Sequence, residues 1–173
     1  MFGHIIRIFI KMDYEIIENF LEQEQFLHIQ AQLMSPEFDL PWYYRENMTN
    51  TDNFYFRHIL YGDHVSFSKG FDTIARPILK KLNCIAPITV KANLVLAKEK
   101  PFQSEFHIDK NFECKTAIYY VNTNNGYTLI DKKKKIKVPC EANKILIFNS
   151  NIEHAMVSQT DTARRIVINL NYL

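Results

Sequence analysis

Apolar and polar positions change their rhythm near residue 88. Tyr14 to Ile17 reads as a short strand, and Asn19 as the cap of a helix running to about Met34. Phe20, Phe26, Leu27 and Leu33 would form its inner face, and Ser35-Pro36 ends it. After the aromatic cluster Leu40-Pro41-Trp42-Tyr43-Tyr44, the run Phe54 to Tyr61 has the aromatic and branched content of a strand. A second helix is predicted from Ser68 to Leu82, with Phe71, Ile74, Ile78 and Leu82 inward and Pro77 as a kink or break.

From Ile88 onward short strands replace helices. Eight are predicted: Ile88–Ala97, Ser104–Ile108, Lys115–Asn122, Tyr127–Asp131, Lys134–Val138, Lys144–Phe148, Ile152–Val157 and Arg164–Tyr172. Asn124-Asn125-Gly126 would supply the positive-φ residues of a tight hairpin. This many short strands suit a double-stranded β-helix, a cupin-like jelly roll of two sheets. The expected fold is therefore mainly β with N-terminal helices. It forms one domain over residues 1–173, in which 1–87 support a jelly-roll core at 88–173.

Composition narrows the field. A chain of 173 residues with 47% hydrophobic and 23% charged residues is that of a soluble globular protein with one buried core. The formal charge of +2 gives no electrostatic case for nucleic acid, and no apolar run approaches the ~20 residues of a membrane span. Phe2 to Ile10 is apolar but is interrupted by Arg7, and no small-residue cleavage site follows, so it does not read as a signal peptide. Met1 and Met12 both stand as possible starts, the first eleven residues then being an extension. Cys84, Cys114 and Cys140 are odd in number and widely spaced, which favours a reducing, cytoplasmic compartment over a disulfide framework.

One constellation carries chemistry. In an extended segment His107 and Asp109 point the same way, and His154 on a later strand can return beside them. Two imidazoles and a carboxylate on one face of an octahedron leave three positions open, the arrangement of non-haem Fe(II) oxygenases. A keto-acid cosubstrate would take two positions and O2 the third. Its far carboxylate needs a cation, and Arg164 or Arg165 on the last strand offers one.

The segments FHIDKNFECKTAIYYVNTNNGYTLI and KILIFNSNIEHAMVSQTDTARRIVINLNYL resemble the 2-oxoglutarate/Fe(II)-dependent dioxygenase superfamily. Within it they are most similar to small prolyl-4-hydroxylase-like members of phage and microbial type. The likeness extends over roughly residues 88–173. It implies His107, Asp109 and His154 as iron ligands, and Arg165 as the cosubstrate residue by the register of the RIxIxFN pattern, with Arg164 kept open. The Ser that often follows that arginine is Val167 here, or Ile166 counted from Arg164, so one hydrogen bond must come from elsewhere. Tyr119 and Asn93 are the candidates. The implied reaction is oxidative decarboxylation of 2-oxoglutarate to succinate and CO2, coupled to hydroxylation of a substrate C–H bond. The substrate stays open between a peptidyl or free amino acid, a nucleobase and a small metabolite, and a viral or phage source fits the likeness.

Two other readings compete: a cupin-like metal protein with a redox-neutral activity, and a non-catalytic jelly-roll binding module. Four further features read as structural. His58 with Asp63-His64 is taken as surface rather than as a second metal site, and Lys132 to Lys135 as a solvated loop. Cys114 is taken as a small buried residue. Trp42, Tyr43 and Tyr44 are taken as core or lid aromatics.

Overall fold

The computed structural model describes residues 13–48 and 51–173. The expectations for the first eleven residues and Met12 lie outside them. Eleven strands form two antiparallel sheets among the described residues: β1 (Tyr14–Ile17), β2 (Tyr43–Arg45), β3 (Tyr55–Gly62), β4 (Val65–Ser66), β5 (Pro87–Leu96), β6 (Lys115–Tyr120), β7 (Tyr127–Ile130), β8 (Ile136–Pro139), β9 (Lys144–Asn149), β10 (His154–Val157) and β11 (Arg164–Tyr172). The large sheet has the order β1-β9-β6-β11-β5-β3-β2, with β4 added to β3, and the small one is β10-β7-β8.

Strand alternation on the large sheet builds two cores. Ala92, Leu94, Tyr119, Ile166, Ile168 and Leu170 face the helices. Their neighbours Ile118, Tyr120 and Val167, with Phe148 of β9, face the small sheet and pack against its Ile130 and Val138. The jelly-roll expectation holds, and both helices precede β5 in the chain, although β1 to β4 also belong to the large sheet. Among the described residues no helix is long and apolar enough to cross a membrane.

Helix α1 (Gln23–Met34) buries Phe26, Ile29 and Leu33, spaced by three and four residues. Leu27 lies about 100° round from Phe26 and is exposed, so Ile29 takes the place expected for it. Asn19 is not the cap: it has φ 49°, and Glu22 precedes the helix without a side-chain capping bond. The approach is held instead by Asn143, whose Oδ1 accepts from Leu21 N at 2.9 Å and whose Nδ2 donates to Leu21 O at 2.8 Å. The second helix is shorter than predicted, a π-helical turn (Phe71–Ala75) running into α2 (Arg76–Lys81). Pro77 sits in the first turn of α2, where its missing N–H costs nothing, so the break at proline is real.

Three expectations are corrected. Ser104–Ile108 is not a strand but a connector with two isolated bridges, Gln103 to Val157 and His107 to His154. Asn124-Asn125-Gly126 is not a positive-φ hairpin: none of the three has positive φ, because the chain there crosses from β6 in the large sheet to β7 in the small one. The tight turn is at Asp63-His64, with φ 46° and 63° between the paired Gly62 and Val65. His58 is not on the surface either. It is buried under the helical layer, with Nδ1 2.7 Å from Pro41 O. Cys114 is buried and Lys132 to Lys135 is an exposed turn region, as read from the sequence. Trp42 packs on the helical core, whereas Tyr43 and Tyr44 are exposed.

Candidate metal centre

His107 and Asp109 lie on the connector between β5 and β6, both strands of the large sheet, where it bridges to β10 of the small one, and His154 opens β10. The bridge between His107 and His154 fixes their approach, each N–H donating to the other's carbonyl at 3.0 and 2.9 Å. Asp109 N donates to Ser150 O at 3.2 Å, which holds the third residue against the same loop. Asp109 Oδ1 is then 3.8 Å from His107 Nε2 and 3.9 Å from His154 Nε2, and the three ligand atoms all lie within 4.8 Å of one another. No other such cluster of His, Cys, Asp and Glu occurs among the described residues.

The partners of these groups leave the right atoms free. Each imidazole places Nδ1 3.3 Å from the carbonyl two residues earlier, Glu105 O for His107 and Ile152 O for His154. A proton on Nδ1 leaves both Nε2 lone pairs directed at the centre. Asp109 Oδ2 accepts from Asn169 Nδ2 and Asn171 Nδ2, both at 3.0 Å, and from Thr116 Oγ1 at 3.2 Å, so Oδ1 is the free oxygen.

Electrostatics points the same way. Burial raises the Asp109 pKa, but His154, Lys91 and the two asparagine donors outweigh it and hold the carboxyl at about 2. Burial lowers the His154 pKa to about 4; Asp109 opposes this and His107 adds to it. At neutral pH the site presents an ionised carboxylate and a neutral buried imidazole, the states a divalent cation needs.

The triad opens into a cavity of about 120 Å³ between the sheets, whose floor includes Asn93, Thr128 and Arg165. Compared with solved structures, the chain is similar to an oxidoreductase of the 2OG-Fe(II) oxygenase family from Burkholderia pseudomallei, at TM-score 0.68 and 8% identity over 94% of this chain and 85% of that one. It is similar to a prolyl hydroxylase from Trichoplax adhaerens solved with a hypoxia-inducible-factor peptide, at TM-score 0.67 and 13% identity over 92% and 83% of the two chains. A third is the viral collagen prolyl hydroxylase of Paramecium bursaria Chlorella virus-1 in its 2OG complex, at TM-score 0.58 and 15% identity over 93% and 95%. The fold is that of the 2-oxoglutarate/Fe(II)-dependent oxygenases. No family model matches the sequence, and neither does any curated protein.

On this oxygenase fold the other candidates separate by strand face. Arg165 is 3% exposed and lines the metal cavity, with Nη2 3.4 Å from Thr128 Oγ1 and its guanidinium 5.9 Å from the Tyr120 ring centre. Arg164 faces the helices and donates from Nη2 to Met34 O at 2.8 Å. Asn93 lines the cavity, but Tyr119 does not: its hydroxyl donates to Asn143 Oδ1 at 2.9 Å in the helical core. Its neighbour Tyr120 points between the sheets instead and donates to Thr128 Oγ1 at 2.9 Å. Burial pushes both tyrosine hydroxyls well above their ordinary range, so both are donors.

The sequence reading missed Tyr120, Thr128, Asn169 and Asn171. Counting alternate residues from Arg165 along β11 reaches both asparagines and would have found them. It also missed Lys91, a cavity-lining lysine whose pKa is lowered by burial, raised by Asp109 and lowered again by Arg57 and Lys110.

The donor set fits a first-row divalent metal. Two imidazole nitrogens and one carboxylate oxygen converge, and the buried polar atoms Arg165 Nε, Asn93 Oδ1 and Asn169 Oδ1 lack partners among the described residues. Buried groups of this kind are ordinarily satisfied, so a polar ligand belongs in this cavity.

Proposed function

We propose that the protein is an Fe(II)- and 2-oxoglutarate-dependent oxygenase that hydroxylates its substrate, with His107, Asp109 and His154 as iron ligands. The observation that carries this reading is one cavity holding the triad and the buried Arg165 guanidinium. Bound Fe(II) would supply dioxygen activation coupled to oxidative decarboxylation of 2-oxoglutarate to succinate and CO2.

The residues divide the remaining work. His107, Asp109 and His154 would hold the metal through two imidazoles and one carboxylate, a set that leaves room for further ligands. Asn169, Asn171 and Thr116 hold Asp109 so that only Oδ1 turns to the metal. Arg165 takes the distal carboxylate of 2-oxoglutarate through a charge-assisted pair in a buried position, with the Thr128 hydroxyl beside it and Asn93 also lining the cavity. The Thr128 hydroxyl supplies the bond that Val167 cannot. A cavity of about 120 Å³ is small enough that most of the substrate must bind outside it.

Anaerobic titration with Fe(II) and 2-oxoglutarate tests the reading. A metal-to-ligand charge-transfer band in the visible is expected, followed by succinate release in air. A protein that binds metal but gives no band at saturating 2-oxoglutarate is not such an oxygenase.

A further inference from the structure

Lys91 on β5 is half-buried and lines the metal cavity with no hydrogen bond or ion pair among the described residues. Opposite it on β3 stands Ile59, and two residues back Arg57 stands opposite Asn93. Arg57 and Lys91 are therefore diagonal neighbours on the metal-facing side of the sheet, about 7–8 Å apart at the backbone and within reach of one ligand. Arg57 is half-buried and also has no partner among the described residues. Lys110, next to Asp109, adds a third cation close enough to act on Lys91.

These charges are not explained by iron and cosubstrate. With a divalent cation and a dianionic keto acid in place, Asp109 and Arg165 balance each other and the rest is neutral. Lys91, Arg57 and Lys110 then remain uncompensated beside the open side of the metal.

A second cavity lies next to them. It measures about 890 Å³ and wraps the outer edge of β3 where neither β2 nor β4 covers His58 and Ile59. Tyr55, Arg57 and Ile59 alternate onto one face of β3. Tyr55 lines the metal cavity, while Arg57 and Ile59 line the larger one, so one face of β3 borders both. Phe38, Tyr43 and Phe67 line the larger cavity and are 42%, 59% and 56% exposed. Its volume is that of a pocket for a small molecule.

Taking the cosubstrate position from the proposed function, we infer that the oxidised substrate is a small organic acid: its carboxylate or phosphate sits between Lys91 and Arg57, and its apolar or aromatic body lies in the cavity along β3.

Matched acids and neutral analogues test this by saturation-transfer NMR and calorimetry. The pairs are 2-naphthoate with 2-naphthamide and phenyl phosphate with phenol. Each is measured on the full chain alone and with Zn(II) and saturating 2-oxoglutarate, which keeps the acid probes away from Arg165. Acids are expected to bind at least about tenfold more tightly than their neutral partners in both states. Lys91→Met and Arg57→Gln should each remove that preference while changing 2-oxoglutarate affinity less than about twofold. Thermal unfolding checks that Lys91→Met folds; if it does not, Arg57→Gln at the sheet edge decides.

An acid preference that survives without any binding of metal or 2-oxoglutarate would sink the oxygenase reading and leave only the anion site between Lys91 and Arg57 standing. Normal cosubstrate binding with no acid preference, including no probe binding at all, overturns the inference alone. It is overturned equally if Lys91→Met weakens 2-oxoglutarate as much as naphthoate, because Lys91 then belongs to the cosubstrate. Binding by extended peptides but by none of the small acids also overturns it.

Discussion

Asn171 Nδ2 donates to Asp109 Oδ2 at 3.0 Å across a sequence separation of 62 residues, and Thr116 Oγ1 accepts from the same amide at 2.9 Å. The last strand thus clamps the carboxylate through Oδ2 and leaves Oδ1 turned to the two imidazoles. Removing this hold lets the carboxylate rotate and offer either oxygen. Asn171→Ala and Asn169→Ala are each expected to weaken Mn(II) or Zn(II) binding by about 10- to 100-fold, with far-UV circular dichroism unchanged. Calorimetric titration reads the loss, and an affinity within twofold of wild type would show that the clamp is dispensable.

Metal binding should also register as stability. A ligand at a hundred times its dissociation constant adds about 2.7 kcal/mol to the native state. For a chain of this length that raises Tm by about 5–10 °C, and a chelator should reverse it. Asp109→Asn keeps the shape of the side chain but removes the anion, so its Tm should not respond to Mn(II). A shift in the variant equal to that of wild type would place the bound metal elsewhere.

The two adjacent arginines make a paired prediction. Arg165→Ala should abolish measurable 2-oxoglutarate binding, because the buried cavity then offers the distal carboxylate no cation. Arg164→Ala should leave that affinity unchanged and cost about 1 kcal/mol of stability through the lost bond to Met34 O. The tyrosines repeat the contrast. Tyr119→Phe should lower Tm without touching cosubstrate binding, since its hydroxyl serves Asn143, whereas Tyr120→Phe removes the hydroxyl that orders Thr128. Equilibrium binding of 2-oxoglutarate with Mn(II), run beside thermal melts, separates the four.

What the sequence could and could not convey follows from strand geometry. His107 and Asp109 are legible because a period of two brings their side chains together whether the segment is a strand or, as here, a connector with one bridge to His154. The strands β5 to β11 are legible because their apolar runs are bounded by turn residues. Tyr119 and Tyr120 could not be told apart: both are large, aromatic and fully buried, and only the pairing of β6 with β9 and β11 says which one faces the small sheet. The helix start failed for a similar reason, because the residue that organises it, Asn143, is 122 positions away. Lys91 left no local signal at all. On β5 it reads as one exposed polar position, and only the assembled fold places it in the metal cavity.

Gly126 shows the same distinction between local and tertiary causes, and it can be tested. Asn-Asn-Gly invites a left-handed turn, yet Gly126 has no positive φ. Its role is close approach: a Cβ there would meet Asn124 Oδ1 at 2.8 Å, Val157 O at 2.9 Å and Gln159 N at 3.1 Å. Two of these are backbone atoms of the segment that carries β10 onward from His154, so they cannot swing aside as the end of a side chain would. Gly126→Ala should therefore cost about 1–3 kcal/mol and lower Tm. Gly126→Asn separates the two explanations. In a left-handed turn asparagine is tolerated better than alanine, whereas against a packed backbone the larger side chain is worse. The order expected in thermal melts is glycine above alanine above asparagine, and asparagine above alanine would restore the turn explanation. Because Val157 closes the strand that begins with His154, the alanine variant should also bind metal more weakly than its stability loss alone accounts for. Mn(II) titration well below the melting transition reads that second effect.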